Sequence, residues 1–401
     1  MDTSYLLPKQ FRTSGTTCGI KDSGRADLAV FISDRSAAAA GVFTTNRVVG
    51  APVEVSRSRV PSKNVRAIVI NSGNANACTG EKGHEAALAM TSQVAGELGC
   101  QPEQVLVCST GIIGVPLPRD VIAAGIPNAV AACESTKDGF KDAATAMMTT
   151  DTFAKLATEQ VTTASEKVRV SGAAKGAAMI APNMATMLAV IMTDATLTPE
   201  QCDAILRFAT DRTFNCISVD GHMSTSDTVL LLANGASGQP VTSKADEEII
   251  QQAVTNVCQK LATDIIRDAE GAAHFVTIDV SGFDLRETAF RIAKEIAESA
   301  LVKTAITGND PNWGRITSAA GYAGVEFDPA YLSLTINGMV VYRSGSPVLF
   351  DEALLSETMQ QKDVHLLLEL SGGPRSGSQS VRFWTSDLTQ EYVRLNSEYT
   401  T

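Results

Sequence analysis

Thr186 is the residue of this chain whose position most suggests chemistry. It follows a stretch rich in small residues, 176–185, and precedes the apolar run 187–192, which is typical of a buried strand. A threonine hydroxyl is a poor nucleophile because it holds its proton far above neutral pH. A cut directly before Thr186 would create a free α-amino group, whose pKa of about 8 lets it accept the hydroxyl proton. The pattern fits such a self-cleaved amino-terminal nucleophile, although on spacing alone an ordinary strand start is the simpler interpretation.

The motif around Thr186 extends well beyond this residue. Residues 175–188 have the sequence KGAAMIAPNMATML, which resembles the autocleavage site of the ornithine acetyltransferase family, also called glutamate N-acetyltransferase, of arginine biosynthesis. In that family the chain is cut directly before the threonine. The resemblance, which covers nearly the whole chain, implies cleavage between Ala185 and Thr186. The products would be an α chain, residues 1–185, and a β chain, residues 186–401.

Acyl transfer also needs hydrogen-bond donors aimed at the oxygen that becomes negative in the tetrahedral intermediate. Residues 108–114, with the sequence CSTGIIG, end a predicted strand and enter a turn whose spaced glycines expose backbone N–H groups. Taken alone, this segment favours an ordinary turn. The family resemblance implies that Thr110, through its hydroxyl, and Gly111, through its amide, form the oxyanion hole.

Two charged residues are candidates for substrate binding. Lys175 begins the motif, and Glu270 lies near the end of a predicted helix in the segment DAEGA. By residue type alone each side chain would be exposed, since lysine and glutamate are rarely buried. The resemblance implies that Lys175 binds a substrate carboxylate. It also implies that Glu270 is a substrate ligand, for which the ammonium group of ornithine is a natural partner.

Hydroxyl and amide side chains complete the predicted site. The family takes one substrate contact from the segment that here reads MMTTDT, and the spacing favours Thr149, with Thr150 and Thr152 as close rivals. Chain ends are usually frayed. In this family, however, the carboxyl end folds back onto the site. The resemblance therefore implies substrate contacts from Asn396 and Thr401.

Composition argues against several classes of protein. The chain has 401 residues and a formal net charge of −11, without the dense run of lysine and arginine that marks a nucleic-acid surface. Its eight cysteines form no C-x-x-C pair and no metal-ligand spacing, so buried thiols of a reducing compartment are expected and no metal is predicted. Neither an apolar run of 18 residues nor a leader segment is found, so a cytoplasmic protein that does not cross a membrane is predicted.

Apolar runs and helical periodicity predict the elements that must position these residues. The expected strands are 28–32, 65–70, 105–108, 274–280, 364–370 and 380–385. The expected helices are 81–98, one that begins after Thr198, 243–267 and one that begins at Asp284. Thr198 begins a capping box, and Glu287 takes the reciprocal capping position for Asp284. Asn337-Gly338 predicts a hairpin between two apolar strands.

These elements predict a mixed α/β chain, but the pattern does not give the strand order. The family resemblance implies a layered αββα-like architecture, shared with the self-processing aminopeptidases of the same superfamily. It also implies ping-pong transfer of an acetyl group from N-acetylornithine to Thr186 and then to glutamate, without a metal or bound cofactor. Acetyl-CoA is a further candidate donor. Two cleaved heterodimers are expected to form an α2β2 tetramer.

Three alternatives stay open. A self-processing aminopeptidase or amidohydrolase would pass the acyl group to water, although Lys175, Glu270 and the tail argue against it. A family member in a secondary pathway, such as clavulanic acid synthesis, would carry the same residues. A binding protein that had kept the fold without activity would remain an uncut chain.

Overall fold

The computed structural model describes residues 5–164, 166–180 and 187–398. The predicted cleavage site, Ala185-Thr186, and the predicted ligand Thr401 lie outside these ranges. Within them the chain forms two mixed β-sheets with helices packed against them, which confirms the predicted mixed α/β class.

Eight strands in the described part of the chain form the first sheet. They are β1 (Phe11–Thr16), β2 (Leu28–Phe43), β3 (Ser62–Asn74), β4 (Val105–Ile112), β5 (Lys155–Thr162), β6 (Lys167–Lys175), β7 (Leu188–Thr193) and β9 (Thr228–Ala233). Their order is β4-β3-β2-β9-β7-β6-β5, and β1 pairs with the first half of the long strand β2. β3 runs parallel to β4, and β7 runs parallel to β9, whereas the other neighbours are antiparallel.

Seven further strands of the described ranges form the second sheet. They are β8 (Ile217–Ser218), β10 (Phe275–Phe283), β11 (Leu332–Ile336), β12 (Met339–Arg343), β13 (Ser346–Pro347), β14 (Asp363–Leu370) and β15 (Ser376–Ser386). Their order is β13-β12-β11-β14-β10-β15-β8.

The α-helices connect and cover these sheets. They are α1 (Ala51–Arg57), α2 (Gly80–Leu98), α3 (Arg119–Ala131), α4 (Lys137–Met147), α5 (Pro199–Arg212), α6 (Lys244–Arg267), α7 (Arg286–Glu298), α8 (Ala300–Thr307), α9 (Trp313–Gly321), α10 (Glu352–Met359) and α11 (Gln390–Glu398). In the ranges that the structure describes, no helix has the length and apolar character needed to span a membrane.

Buried side chains of the first sheet alternate between two layers. In β2, Val30 packs with α2 and α3, whereas Phe31 belongs to a cluster that includes Phe140 of α4. In β7, Val190 belongs to that same cluster, whereas Ile191 packs with α5 and α6. Both halves of the sheet therefore contribute to one cluster, which α4 also joins. Their alternate residues pack against other helices, α2 and α3 for one half and α5 and α6 for the other.

Along the sequence, the predicted cleavage point falls between two strands that are neighbours in the first sheet. β6 ends at Lys175, β7 begins at Leu188, and these two residues face each other in the antiparallel ladder. β9 pairs with β2 on one side and with β7 on the other. The predicted α and β chains therefore contribute strands to the same sheet.

Of the two predicted capping boxes, the one at Thr198 is confirmed and the one at Asp284 is wrong. The capping box of Thr198 starts α5, and the predicted hairpin joins β11 to β12. The helix expected from Asp284 instead begins at Arg286 without a side-chain cap. The carboxylate of Asp284 is engaged elsewhere, because it accepts a hydrogen bond from Nη1 of Arg375 at 3.1 Å. This contact ties the end of β10 to the start of β15.

Candidate active site

A cavity of about 290 Å³ lies where the end of β4, the end of β6, the loop after α6 and helix α11 meet. All the predicted site residues that the structure describes line it: Thr110, Gly111, Thr149, Lys175, Glu270 and Asn396. The placement of Thr186 and Thr401 stays a prediction, since both fall outside the described residues. The cavity is built from elements of both predicted chains.

The backbone at the predicted oxyanion hole requires glycine. Gly111 has a φ of +131°, a value that side-chain-bearing residues rarely adopt. A Cβ atom on Gly111 would lie 2.3 Å from the carbonyl carbon of Gly73, on the parallel neighbour β3. Thr110, the residue before it, is buried. Close packing of β3 and β4 therefore fixes a hydroxyl and a backbone amide at the cavity wall.

Replacing Gly111 with alanine is expected to lower kcat by roughly 100- to 1,000-fold, the usual cost of losing one oxyanion donor. The added methyl group would force the chain away from Gly73 and displace the amide. KM should change little, because the donor acts mainly in the transition state. Steady-state kinetics measure both constants. The control is Gly96→Ala in α2, where an added Cβ meets nothing within 4 Å. A Gly111→Ala variant with normal kcat would contradict the assignment.

Lys175 lies inside the protein at the end of β6, not on a solvated loop. The residue is only 3% exposed, and its Nζ donates to the hydroxyl of Thr110 at 3.3 Å. Burial lowers the pKa of Lys175, and the carboxylate of Asp151 opposes that shift. An ammonium group in a buried cavity wall is suited to bind an anionic group of a substrate.

A buried ion network lies close to Lys175. Nζ of Lys155 lies 2.7 Å from Oδ1 of Asp151 and 2.6 Å from Oδ2 of Asp268, and all three side chains are almost inaccessible. Oδ1 of Asp151 also accepts the backbone N–H of Gly176 at 2.7 Å. Burial raises the pKa of Asp151, but Lys175, Lys155 and the hydrogen bonds outweigh it and lower this pKa to about 2. Asp151 is therefore a carboxylate throughout the physiological range.

The same network distinguishes Thr152 from Thr149 and Thr150 as candidates for contact with a substrate. Asp151 accepts the backbone N–H of Thr149 at 3.0 Å, which fixes that loop at the cavity. Asp268 accepts both the backbone N–H of Thr152, at 3.0 Å, and its hydroxyl. The hydroxyl of Thr152 is thus already engaged, whereas Thr149 and Thr150 line the cavity. Thr149 and Thr150 both remain available to a ligand.

Glu270 is held by the carboxyl-terminal helix. Its backbone N–H donates to the carbonyl of Ala177 at 2.9 Å, and its Oε2 accepts from Nδ2 of Asn396 at 3.1 Å. The hydroxyl of Thr389 donates to the carbonyl of Gly271 at 2.5 Å, which ties the start of α11 to the Glu270 loop. The described part of the tail therefore folds back onto the cavity.

Asp220 anchors the segment that leads to the predicted cleavage site. Its carboxylate accepts the backbone N–H groups of Met179 (2.7 Å), Ile180 (2.9 Å) and His222 (3.2 Å). It also accepts the hydroxyl of Tyr392, in α11, at 3.1 Å. One carboxylate therefore joins the cleavage segment, the 220–222 loop and the carboxyl-terminal helix.

Asp227 anchors the chain on the other side of the predicted cut. Its Oδ1 accepts the backbone N–H of Met187 at 3.1 Å, and the residue is fully buried. Burial raises the pKa of Asp227 well above the usual range of an aspartate. Carboxylates thus hold the chain both before and after the predicted cleavage site.

The sequence does not mark Asp151, Lys155, Asp268 or Asp220 as site residues. The available signal is weak: Asp151 follows the Thr149-Thr150 pair, and Asp268 precedes Glu270 by two residues. A charged residue beside a predicted ligand is common, so this signal alone would not select them.

Cysteine and metal chemistry is not evident in the described residues. All eight cysteines are free, and five of them are buried. Across the described ranges, no group of three or more His, Cys, Asp or Glu side chains is placed to hold a metal ion. That the reaction needs no metal stays a prediction.

Comparison with known proteins identifies the family. The ArgJ family model matches residues 12–401. The chain belongs to the ArgJ family. This ArgJ-family chain is 47% identical to the arginine biosynthesis bifunctional protein ArgJ of Rhodopirellula baltica, over 100% of the chain and 97% of that protein. It is 44% identical to the protein of the same name from Thermobifida fusca, over 99% of the chain and 100% of that protein. The family predicted by resemblance is therefore confirmed.

Solved structures of similar sequence match about half of this ArgJ-family chain. The arginine biosynthesis bifunctional protein ArgJ of Bacillus halodurans is 35% identical with a TM-score of 0.49, over 51% of this chain and 96% of that chain. The ornithine acetyltransferase of Mycobacterium tuberculosis, solved in complex with ornithine, is 36% identical with a TM-score of 0.40, over 45% of this chain and 94% of that chain.

Proposed function

We propose that this chain is a glutamate N-acetyltransferase, which moves the acetyl group of N-acetylornithine to glutamate in arginine biosynthesis. Membership of the ArgJ family and the names of its relatives support this function. The observation that carries it is the convergence of Thr110, Gly111, Lys175 and Glu270 on one cavity. Acetyl transfer between two amino acids needs an oxyanion hole beside groups that bind a carboxylate and an ammonium.

In the proposed first step, the hydroxyl oxygen of Thr186 attacks the acetyl carbonyl of N-acetylornithine. The hydroxyl proton passes to the α-amino group of the same residue, which the preceding cut has set free. The Thr110 hydroxyl and the Gly111 amide stabilise the tetrahedral oxyanion. When the C–N bond breaks, that proton passes to the leaving nitrogen and ornithine departs. The acetyl group stays on Thr186 as an ester.

In the second step, the amine of glutamate attacks this ester, and N-acetylglutamate leaves as the Thr186 hydroxyl is restored. The position of Lys175 supports one binding mode for both substrates. Its Nζ lies 3.3 Å from the Thr110 hydroxyl, next to the proposed oxyanion hole. An α-carboxylate bound to Lys175 would bring the adjacent α-nitrogen, which is the nitrogen that reacts, close to the acetyl group.

The remaining ligands act on other parts of the substrate. Thr149 would contact the amino-acid portion beside Lys175. Glu270, which Asn396 orients through a 3.1 Å hydrogen bond, would bind the side-chain ammonium of ornithine. Asn396 and Thr401 would add contacts from the tail.

Self-cleavage between Ala185 and Thr186 would leave residues 1–185 and 186–401 associated, which the shared first sheet supports. Two such pairs would form an α2β2 tetramer. A cytoplasmic location agrees with the free cysteines. Neither a metal nor a bound cofactor has a role in this proposal.

The test is an assay of purified enzyme with N-acetylornithine and glutamate, followed by mass spectrometry. Ornithine and N-acetylglutamate are expected in equal amounts. Without glutamate, ornithine release should stop after one acetyl group per site, as for any stable acyl-enzyme. Continuous ornithine release into water, without N-acetylglutamate, would contradict the proposal and favour an amidohydrolase. Replacing N-acetylornithine with acetyl-CoA tests for a second donor.

A further inference from the structure

Two substrates with opposite side-chain charges must use one cavity in turn, if the proposed function is correct. Ornithine ends in an ammonium group, whereas glutamate ends in a carboxylate. Glu270 suits the first and repels the second, because like charges at close range disfavour binding. Glutamate therefore needs a cationic or hydrogen-bonding partner that ornithine does not use.

The charged residues that line the cavity limit which side chain can bind the side-chain carboxylate of glutamate. The described lysine, histidine, aspartate and glutamate residues that line the cavity are Lys175, His222, Asp220 and Glu270. Lys175 lies beside the oxyanion pair and so suits the α-carboxylate that both substrates share. The carboxylate of Asp220 already accepts four hydrogen bonds. His222 is the member of this set that is left for a second carboxylate.

The loop around His222 is fixed, while its side chain is free. The backbone N–H of His222 donates to Oδ1 of Asp220 at 3.2 Å, and Nδ2 of Asn46 donates to the carbonyl of Met223 at 3.2 Å. The residue is exposed, and its imidazole forms no hydrogen bond or ion pair with another described residue. An imidazole offers a carboxylate an N–H donor whether it is neutral or protonated.

We propose that His222 binds the side-chain carboxylate of glutamate in the second half-reaction. It thereby determines specificity for the acceptor, while Glu270 does so for the donor. This inference rests on the proposed function, because it assumes that glutamate enters the same cavity after ornithine leaves.

The test compares glutamate with glutamine as acceptors in wild-type enzyme and in His222→Ala, which removes the N–H donor. Glutamine has nearly the same shape as glutamate but no side-chain charge. The variant is expected to lose roughly ten-fold or more in kcat/KM for glutamate, the size of one lost charge-assisted hydrogen bond. Its kcat/KM for glutamine should change less than two-fold, so the glutamate-to-glutamine ratio falls. Acetyl-enzyme formation from N-acetylornithine should also change less than two-fold.

Two further variants complete the experiment. His222→Lys supplies a cationic N–H donor and is expected to keep most of the preference for glutamate. His84→Ala is the control, because His84 lies outside the cavity lining and pairs with Glu54 at 3.7 Å. A His222→Ala enzyme that keeps the wild-type ratio would overturn the inference, as would equal losses with both acceptors. Wild-type enzyme that makes no N-acetylglutamate would instead overturn the proposed function, and this inference with it.

Discussion

Replacing Thr186 with alanine is expected to leave one uncut chain of 401 residues that transfers no acetyl group. The substitution removes the hydroxyl that would attack the peptide bond before it and, later, the substrate. Loss of a catalytic nucleophile typically lowers kcat by about 10⁴-fold or more. Intact-mass spectrometry reports the cleavage, and the N-acetylornithine assay reports the transfer.

Thr186→Ser is the matched variant, because it keeps a hydroxyl and loses a single methyl group. It should still be cut and should retain part of the activity. A Thr186→Ala protein that is found as two chains and is active would show that Thr186 is not the nucleophile.

Replacing Lys155 with methionine should give the largest loss of stability, about 3–5 kcal/mol in the free energy of unfolding. Lys155 is fully buried between Asp151 and Asp268, so its removal leaves two buried carboxylates without the ammonium group that bridges them. The measurement is denaturant-induced unfolding in the uncut Thr186→Ala background, in which both halves belong to one covalent chain. In the cleavable background, the same variant should also lose activity, because Asp151 fixes the Thr149 loop.

Lys244→Met is the control for this experiment. Lys244 forms an ion pair with Glu248 one turn away on α6, and the two side chains are 89% and 63% exposed. Exposed pairs of this kind contribute about 0.3–0.5 kcal/mol. Equal losses in the free energy of unfolding of the two variants would show that burial does not increase the contribution of the Lys155 network to stability.

Elements with a local signal could be predicted from the sequence. The apolar run 187–192 predicts β7, and Thr198 with its downstream glutamine predicts the start of α5. Asp284 shows where such reasoning fails. Its spacing to Glu287 is that of a capping box, but Arg375, 91 residues away in the chain, engages its carboxylate. Local patterns do not predict the strand order either, because it depends on pairings between distant segments of the chain.

The site residues also divide into those that the sequence marks and those that it does not. The motif residues Lys175 and Glu270 could be selected through family resemblance, although residue type alone favours exposed side chains for both. The residues that support them could not be selected. Lys155 meets Asp268 across 113 residues, and Asp220 meets Tyr392 across 172. Neither partner carries a local pattern that predicts the other.

The first sheet contains strands of both proposed products, which has a consequence for the proposed maturation of this protein. A separately made 1–185 fragment would expose the unpaired edges of β2 and β6, and a separate 186–401 fragment would carry β7 and β9 without their outer neighbours. If the chain is cut as proposed, folding is expected to come first and scission second. Such a cut would break one covalent bond and none of the described ladder pairings, so the two products would keep the fold that the single chain had formed.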